Sequence, residues 1–170
     1  PITVENYLEK KGLELETPWV FWCAREHLRE NFQFDHQRKQ LYPVYRVTTV
    51  EGFYHAYHQA TMTMSRFVTM REGINPSWED PSHCNGAHWT ITMGNQRDDH
   101  QERLLDCILG IIGETFTNDT YRSNLITGFT LVNDDELHQL RLWLTNDRIK
   151  IRVENLSDDF QPFFRSAHQE

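Results

Sequence analysis

The chain has 170 residues, is 38% hydrophobic and 12% aromatic, and carries a formal net charge of −8. That length suits one domain with a core large enough to need no staples. The charge excludes a general grip on nucleic-acid backbone, which draws its affinity from neutralised phosphates, so any RNA recognition must read a small chemical feature in a local pocket. No apolar run approaches the length of a membrane span, and no signal-peptide pattern is visible. Cys23, Cys84 and Cys107 are an odd, scattered set, which favours free thiols in a reducing, cytoplasmic compartment.

Residues 1–17 are polar and charged and read as a flexible N-terminal arm, with Leu13 and Leu15 as docking points; residues 18–170 read as the folded domain. Pro18–Cys23 reads as a first strand, residues 24–41 as a long loop and Val44–Val47 as a second strand. Thr48 followed three residues later by Glu51 is a capping-box signature. Val50, Phe53, Tyr54 and Tyr57 then recur at helical spacing, so a helix is expected to about Thr61. Ala87–Met93 alternates, with Trp89, Ile91 and Met93 on one face and His88, Thr90 and Thr92 on the other, the pattern of a half-buried strand.

Asp98–Ile112 is expected to be the longest helix, with Asp98 and Asp99 complementing its dipole. Its apolar residues form two stripes, Leu104, Ile108, Ile111 and Leu105, Leu109, Ile112. Either the helix is sunk deeply in the core or one stripe is left for a partner. Leu125–Val132 reads as a strand before the acidic turn Asn133–Glu136. In His138–Leu144, Leu140, Leu142 and Leu144 face one way and Gln139, Arg141 and Trp143 the other. Asp147–Asn155 and Gln161–His168 read as a short helix and a terminal strand. Strands with one apolar and one polar-plus-aromatic face, separated by amphipathic helices, indicate an α+β fold in which helices cover one face of an antiparallel sheet.

The segment Gly73-Ile74-Asn75-Pro76-Ser77-Trp78-Glu79-Asp80-Pro81 carries the chemistry. Its prolines and polar residues read as loop. An indole there, followed by an acceptor-only carboxylate, suits a flat electron-poor ring that donates two parallel hydrogen bonds, as N7-methylated guanine does. The plainer alternative is a loop tryptophan lidding the core beside a solvated glutamate. Five further segments stand with this one: Trp19-Val20-Phe21-Trp22, Thr49-Val50-Glu51-Gly52-Phe53-Tyr54, Gly86-Ala87-His88-Trp89, the Leu104-to-Phe116 helix and its end, and Leu140-Arg141-Leu142-Trp143. In this order, over roughly residues 15–145, the set resembles the translation initiation factor 4E family, the proteins that bind the 5′ cap of mRNA.

The resemblance implies a single curved antiparallel sheet with helices on its convex face and the cap slot on its concave face. It implies that Trp78 is one wall of an aromatic sandwich around 7-methylguanine, that Glu79 receives N1–H and N2–H, that the Trp78 backbone N–H meets O6, and that Trp143 touches the N7 methyl. The second wall is carried over to Phe32, with Phe34 and Tyr42 as alternatives, because no tryptophan stands between Trp22 and Trp78. Where the family places basic residues against the phosphates, this chain has His88, Asp134, Glu136 and Gln139; Arg141, and less directly Arg165, remain to replace them. On the convex side the resemblance implies a patch of Leu15, Val50, Tyr54, Leu105 and Leu109. Its partner would be a helix bearing Tyr-x-x-x-x-Leu-hydrophobic, from a 4G-type scaffold or a 4E-binding protein.

The chain is expected to act as a monomer on capped mRNA, without membrane, cofactor or catalysis. His83-Cys84 with His88 is the tightest metal-like cluster, and its spacing is poor. No nucleophile elbow or phosphate-cradling glycine loop stands out. Alternative readings are a cap-binding repressor, or an interaction module of the same fold whose slot has weakened.

Overall fold

The computed structural model describes residues 13–24, 41–84, 86–93, 100–114, 126–134, 137–145 and 162–166, and for 93, 100, 101, 103 and 162–166 the backbone alone. They form strands β1 (Glu14–Ala24), β2 (Leu41–Thr49), β3 (Arg66–Arg71), β4 (Ala87–Met93), β5 (Ile126–Asn133), β6 (His138–Leu144) and β7 (Pro162–Ser166), with helices α1 (Val50–Thr63) and α2 (His100–Ile112). The strands make one seven-stranded sheet in the order β2-β1-β3-β5-β6-β4-β7. Every neighbouring pair is antiparallel. The α+β class expected from the sequence is the one observed.

Register explains how the sheet divides its side chains. Phe21, Thr69, Phe129, Leu142 and Trp89 are successive partners across five strands, as are Phe67, Leu131, Leu140 and Ile91 across β3, β5, β6 and β4. Cross-strand partners share a face. Apart from Thr69, these residues pack with Phe53, Ala56 and Ala60 of α1 and Leu104, Ile108, Ile111 and Ile112 of α2 into the main core. Both helices therefore cover this one face.

Helix α1 forms because Phe53, Ala56 and Ala60 recur along one side and all three are buried. Its N-cap is Thr49, one residue later than the sequence pattern indicates: Thr49 Oγ1 accepts from the Gly52 N–H at 3.0 Å. Glu51 instead accepts from the Leu13 N–H at 3.1 Å, while Leu13 O receives the Val50 N–H at 2.8 Å. Strand β1 thus starts at Glu14, inside the stretch read as an arm, because Glu14 pairs with Thr49 and extends the ladder. The helix ends at Thr63, where Met64 turns extended and its N–H closes on Ala60 O.

The sequence reading missed β3. Phe67-Val68-Thr69-Met70 is a short run buried on both faces, and such a strand shows no polar alternation. It lies third in the sheet and carries Arg71 at its end. Arg71 is 7% exposed, and its guanidinium lies 4.6 Å over the Trp19 ring. It donates to Ile126 O at 2.9 Å and to Thr17 Oγ1 at 3.1 Å, and grips Glu114 through two bonds, the longer 2.7 Å. Removing one partner of such a buried pair costs about 3–5 kcal/mol, because the other charge is left desolvated. The clamp ties the end of α2 to β1, β3 and β5.

In α2, Leu104, Ile108 and Ile111 are buried as one stripe. Of the other stripe Leu105 and Leu109 are half-buried, whereas Ile112 is only 2% exposed and belongs to the core. The terminal strand is present as β7, and the expected helix over 147–155 lies outside the described residues, as do Asp98 and Asp99.

Candidate functional site

The opposite face of the sheet is floored by a second register row. Val20, Met70, Gly128, Trp143 and His88 are partners in turn across β1, β3, β5, β6 and β4. Beside it runs Trp22, Val68, Thr130, Arg141 and Thr90. Gly128 is required by the packing: a Cβ there would lie 2.5 Å from Met70 Sδ and 2.3 Å from Thr69 O. Its absence leaves room for Met70, which clusters with Trp143. Val68, Met70 and Trp143 form a cluster separate from the main core, with Trp22, Leu41, Ile74 and Trp78 packed against it.

The loop after β3 folds over this floor. Gly73, at φ 87°, makes the left-handed turn that starts it. Asp80 braces it from within, accepting from the Asn75 and Ser82 N–H groups, each at 2.9 Å. Desolvation pushes the Asp80 carboxyl up, but those bonds and nearby His83 outweigh it and hold it below the usual carboxylate range. A depressed carboxyl contributes stability above its unfolded value and loses it as pH falls through the folded one. The brace is therefore intact at neutral pH and released only in acid.

His83 pins the loop to the sheet. It is completely buried, with Nδ1 2.7 Å from Ser77 O and Nε2 2.8 Å from Thr127 Oγ1. Thr127 Oγ1 also lies 3.3 Å from Trp143 O. The sequence pairs His83 with Cys84 and His88 as a metal-like cluster. In the structure both His83 nitrogens are engaged and Cys84 is exposed. Among the described residues no group of three His, Cys, Asp or Glu side chains converges.

These restraints set Trp78 against the floor. Its ring centroid lies 5.1 Å from that of Trp143 and 4.4 Å from that of His88, and His88 meets Trp143 edge-on at 4.3 Å. Trp143 Nε1 donates to Thr130 Oγ1 at 2.9 Å, which fixes that indole in the strand row. Trp78 is half-buried, not simply a loop side chain in solvent, while Glu79 beside it is exposed. The result is an aromatic surface edged by a free-facing carboxylate. Arg141, half-buried in the next row, lies 3.5 Å from Gln139 Oε1, and Gln139 Nε2 donates to Thr92 Oγ1 at 3.1 Å.

Asp134 accepts from the Leu137 N–H at 2.6 Å and so closes the β5–β6 turn. Phe32, Phe34 and Glu136 lie outside the described residues, as does the Arg165 side chain; the Arg165 backbone pairs with His88. Tyr42 pairs with Cys23 of the main core, which puts it on the helix-covered face and away from Trp78. Leu41, its neighbour, is the β2 residue on the floor. Across the sheet, Tyr54 is 44% exposed, Val50 and Leu105 are half-buried, and Leu15 and Leu109 pack partly against the main core. Sequence reasoning missed His83, Thr127 and Thr130 as supports of the site, because no local pattern marks a histidine whose partners are 6 and 44 residues away.

The model of the family described as Eukaryotic initiation factor 4E matches residues 14–170. The chain belongs to that family. It is 29% identical over 130 residues to the eukaryotic translation initiation factor isoform 4E of Capsicum annuum, covering 68% of this chain and 58% of the relative. It is 30% identical over 122 residues to isoform 4E of Arabidopsis thaliana, covering 64% and 56%. The chain thus spans less than two thirds of the length of these relatives. Among solved structures it is similar to a schistosome eIF4E complexed with m7GpppA and 4E-BP, with a TM-score of 0.65, 22% identity, and 82% and 75% of the two chains covered. It is also similar to C. elegans eIF4E-3 complexed with the 4E-binding protein Mextli and a cap analog, with a TM-score of 0.59, 24% identity, and 79% and 75% covered. At these identities the structural likeness speaks for the fold, which this family member shares.

Proposed function

We propose that this chain binds the 7-methylguanosine 5′ cap of mRNA on the open face of its sheet and a helical partner on the helix-covered face, in translation initiation. The observation that carries the reading is the exposed carboxylate of Glu79 directly after an indole that packs with Trp143 on one aromatic surface. Stacking of a base on such a ring is worth about 1–3 kcal/mol. A cation on N7 adds about 0.5–2 kcal/mol of cation–π attraction, which is the source of selectivity for the methylated base. Glu79 supplies paired charge-assisted acceptors for N1–H and N2–H. The cap analogs and 4E-binding proteins in the related structures support both halves of the reading. Among the described residues no helix is long and apolar enough to cross a membrane.

The test is tryptophan fluorescence titrated with 7-methyl-GTP and with GTP. Quenching by the methylated nucleotide at concentrations where GTP has no effect supports the reading; equal response, or none, overturns it. A second reading, a cap-binding repressor or a module with a weakened slot, is favoured by one observation. The position expected to meet phosphate on β6 is Gln139, and Asp134 closes a turn. Of the positions expected to meet phosphate, Arg141 and His88 then remain among the described residues. We expect Arg141→Ala to weaken 7-methyl-GTP about threefold to tenfold, an exposed charge pair's worth of about 1 kcal/mol. It should leave 7-methylguanosine unchanged and flatten the salt dependence of nucleotide binding, since screening acts on the phosphate contact alone. Equal losses for nucleotide and nucleoside, read by the same titration in rising salt, would place the phosphates elsewhere.

A further inference from the structure

The bond that His83 makes to Ser77 O acts on the peptide that joins Ser77 to Trp78. A carbonyl oxygen has no proton, so His83 Nδ1 must be the donor to Ser77 O, while Nε2 meets the Thr127 hydroxyl, whose single proton goes either to Nε2 or to Trp143 O 3.3 Å away. Ser77 O fixes the Nδ1 proton, and His83 and Thr127 are at most 1% exposed, so the imidazole end of both bonds is shielded from water. Among the described residues no peptide is cis. In a trans peptide the C=O and N–H point to opposite sides of one rigid plane. Ser77 O, held by His83 Nδ1 and at 3.2 Å by the Asp80 N–H, therefore turns the Trp78 N–H away from His83, and donation to the carbonyl polarises that N–H. The edge-on contacts of His83 with Trp78, at 6.1 Å, and its approach to Trp143, at 5.0 Å, place this control at the junction of the two indoles.

We propose that His83 is a positioning residue for guanine: through Thr127 and Ser77 O it aims the Trp78 backbone N–H at the base's O6. The proposal rests on the cap-binding reading above and adds to it the group that discriminates the oxygen at position 6. Glu79 reads the donors of the guanine edge; His83 sets the donor that meets its acceptor. Neither depends on the aromatic stack, which accepts any flat cationic base.

The experiment compares 7-methyl-GTP with its 6-thio analogue, in which sulfur, a weak acceptor, replaces O6 while N1–H, the N2 amino group and the methyl remain. Both are titrated against wild type, His83→Ala and His83→Asn, with thermal unfolding measured in parallel. Wild type is expected to prefer the oxygen ligand by about tenfold, one well-made hydrogen bond's worth. His83→Ala should lose most of that preference, weakening on 7-methyl-GTP and changing little on the thio analogue. His83→Asn, whose amide can still donate to Ser77 O, should restore it. If folded His83→Ala keeps the full preference, or weakens both ligands equally, the proposal is overturned while cap binding stands. If wild type binds neither ligand, the cap reading fails and the proposal with it. Should His83→Ala not fold, Thr127→Val carries the test: a reduced preference supports the proposal and an unchanged one overturns it.

Discussion

Replacing Glu79 with alanine is expected to abolish retention on a 7-methylguanosine matrix while leaving the fold intact. Each hydrogen bond to a charged acceptor is worth about 1.5–3 kcal/mol, so losing the pair lowers affinity by two orders of magnitude or more. The side chain is exposed, so unfolding temperature should not move measurably. Trp78→Ala should also end retention, by removing stacking and cation–π attraction, but it will cost stability as well. Its ring packs against Trp143, His88 and the Met70 cluster, and truncating it uncovers that surface. Glu79→Ala is therefore the cleaner variant. Wild-type-like retention by folded Glu79→Ala would remove the cap assignment.

The second large effect belongs to the other side of the sheet. Leu105→Asp combined with Tyr54→Ala should eliminate binding of a synthetic helix bearing Tyr-x-x-x-x-Leu-hydrophobic. Tyr54 is 44% exposed on α1, and Leu105 is half-buried in the lining of a groove between α1 and α2, so both can change without opening the core. Leu109 is a poorer target, since it packs against the main cluster. An acid in an apolar helix-binding groove leaves an unpaired charge under the incoming helix, a loss of about 2 kcal/mol or more. Affinity for 7-methyl-GTP should stay within about twofold, because separated sites with no shared partners behave additively. Calorimetry with each ligand on the same double variant checks both halves. Retained peptide binding would count against the patch, and a parallel loss of nucleotide would mean the two faces are coupled.

Much of the architecture was legible because one face of each strand or helix had to be apolar. The alternation in His138–Leu144 separates Trp143 from Leu140, Leu142 and Leu144, and the structure puts it in a different cluster from them. The 3.6-residue recurrence behind Phe53 marks α1 in the same way. Strand β3 escaped because burial on both faces leaves no period to read. Thr49 rather than Thr48 caps α1 because the choice between two competent neighbours is made by strand pairing with Glu14, not by the local pattern.

Taken alone, then, the sequence determined the chemistry on offer: an indole followed by an acid in a loop, a tryptophan on the polar side of a strand, and an acidic balance that rules out a general grip on phosphate. Those follow from residue type and from spacing, which are local. The tertiary structure decided what is near what. It put Trp78 on Trp143 and His88, sent Tyr42 to the other face, turned Asp134 into a turn closure, and made His83 the pin between a loop and β5. These are contacts between residues distant in the chain, set by register and by the burial of hydrogen-bonding groups, and no short window of sequence contains both partners.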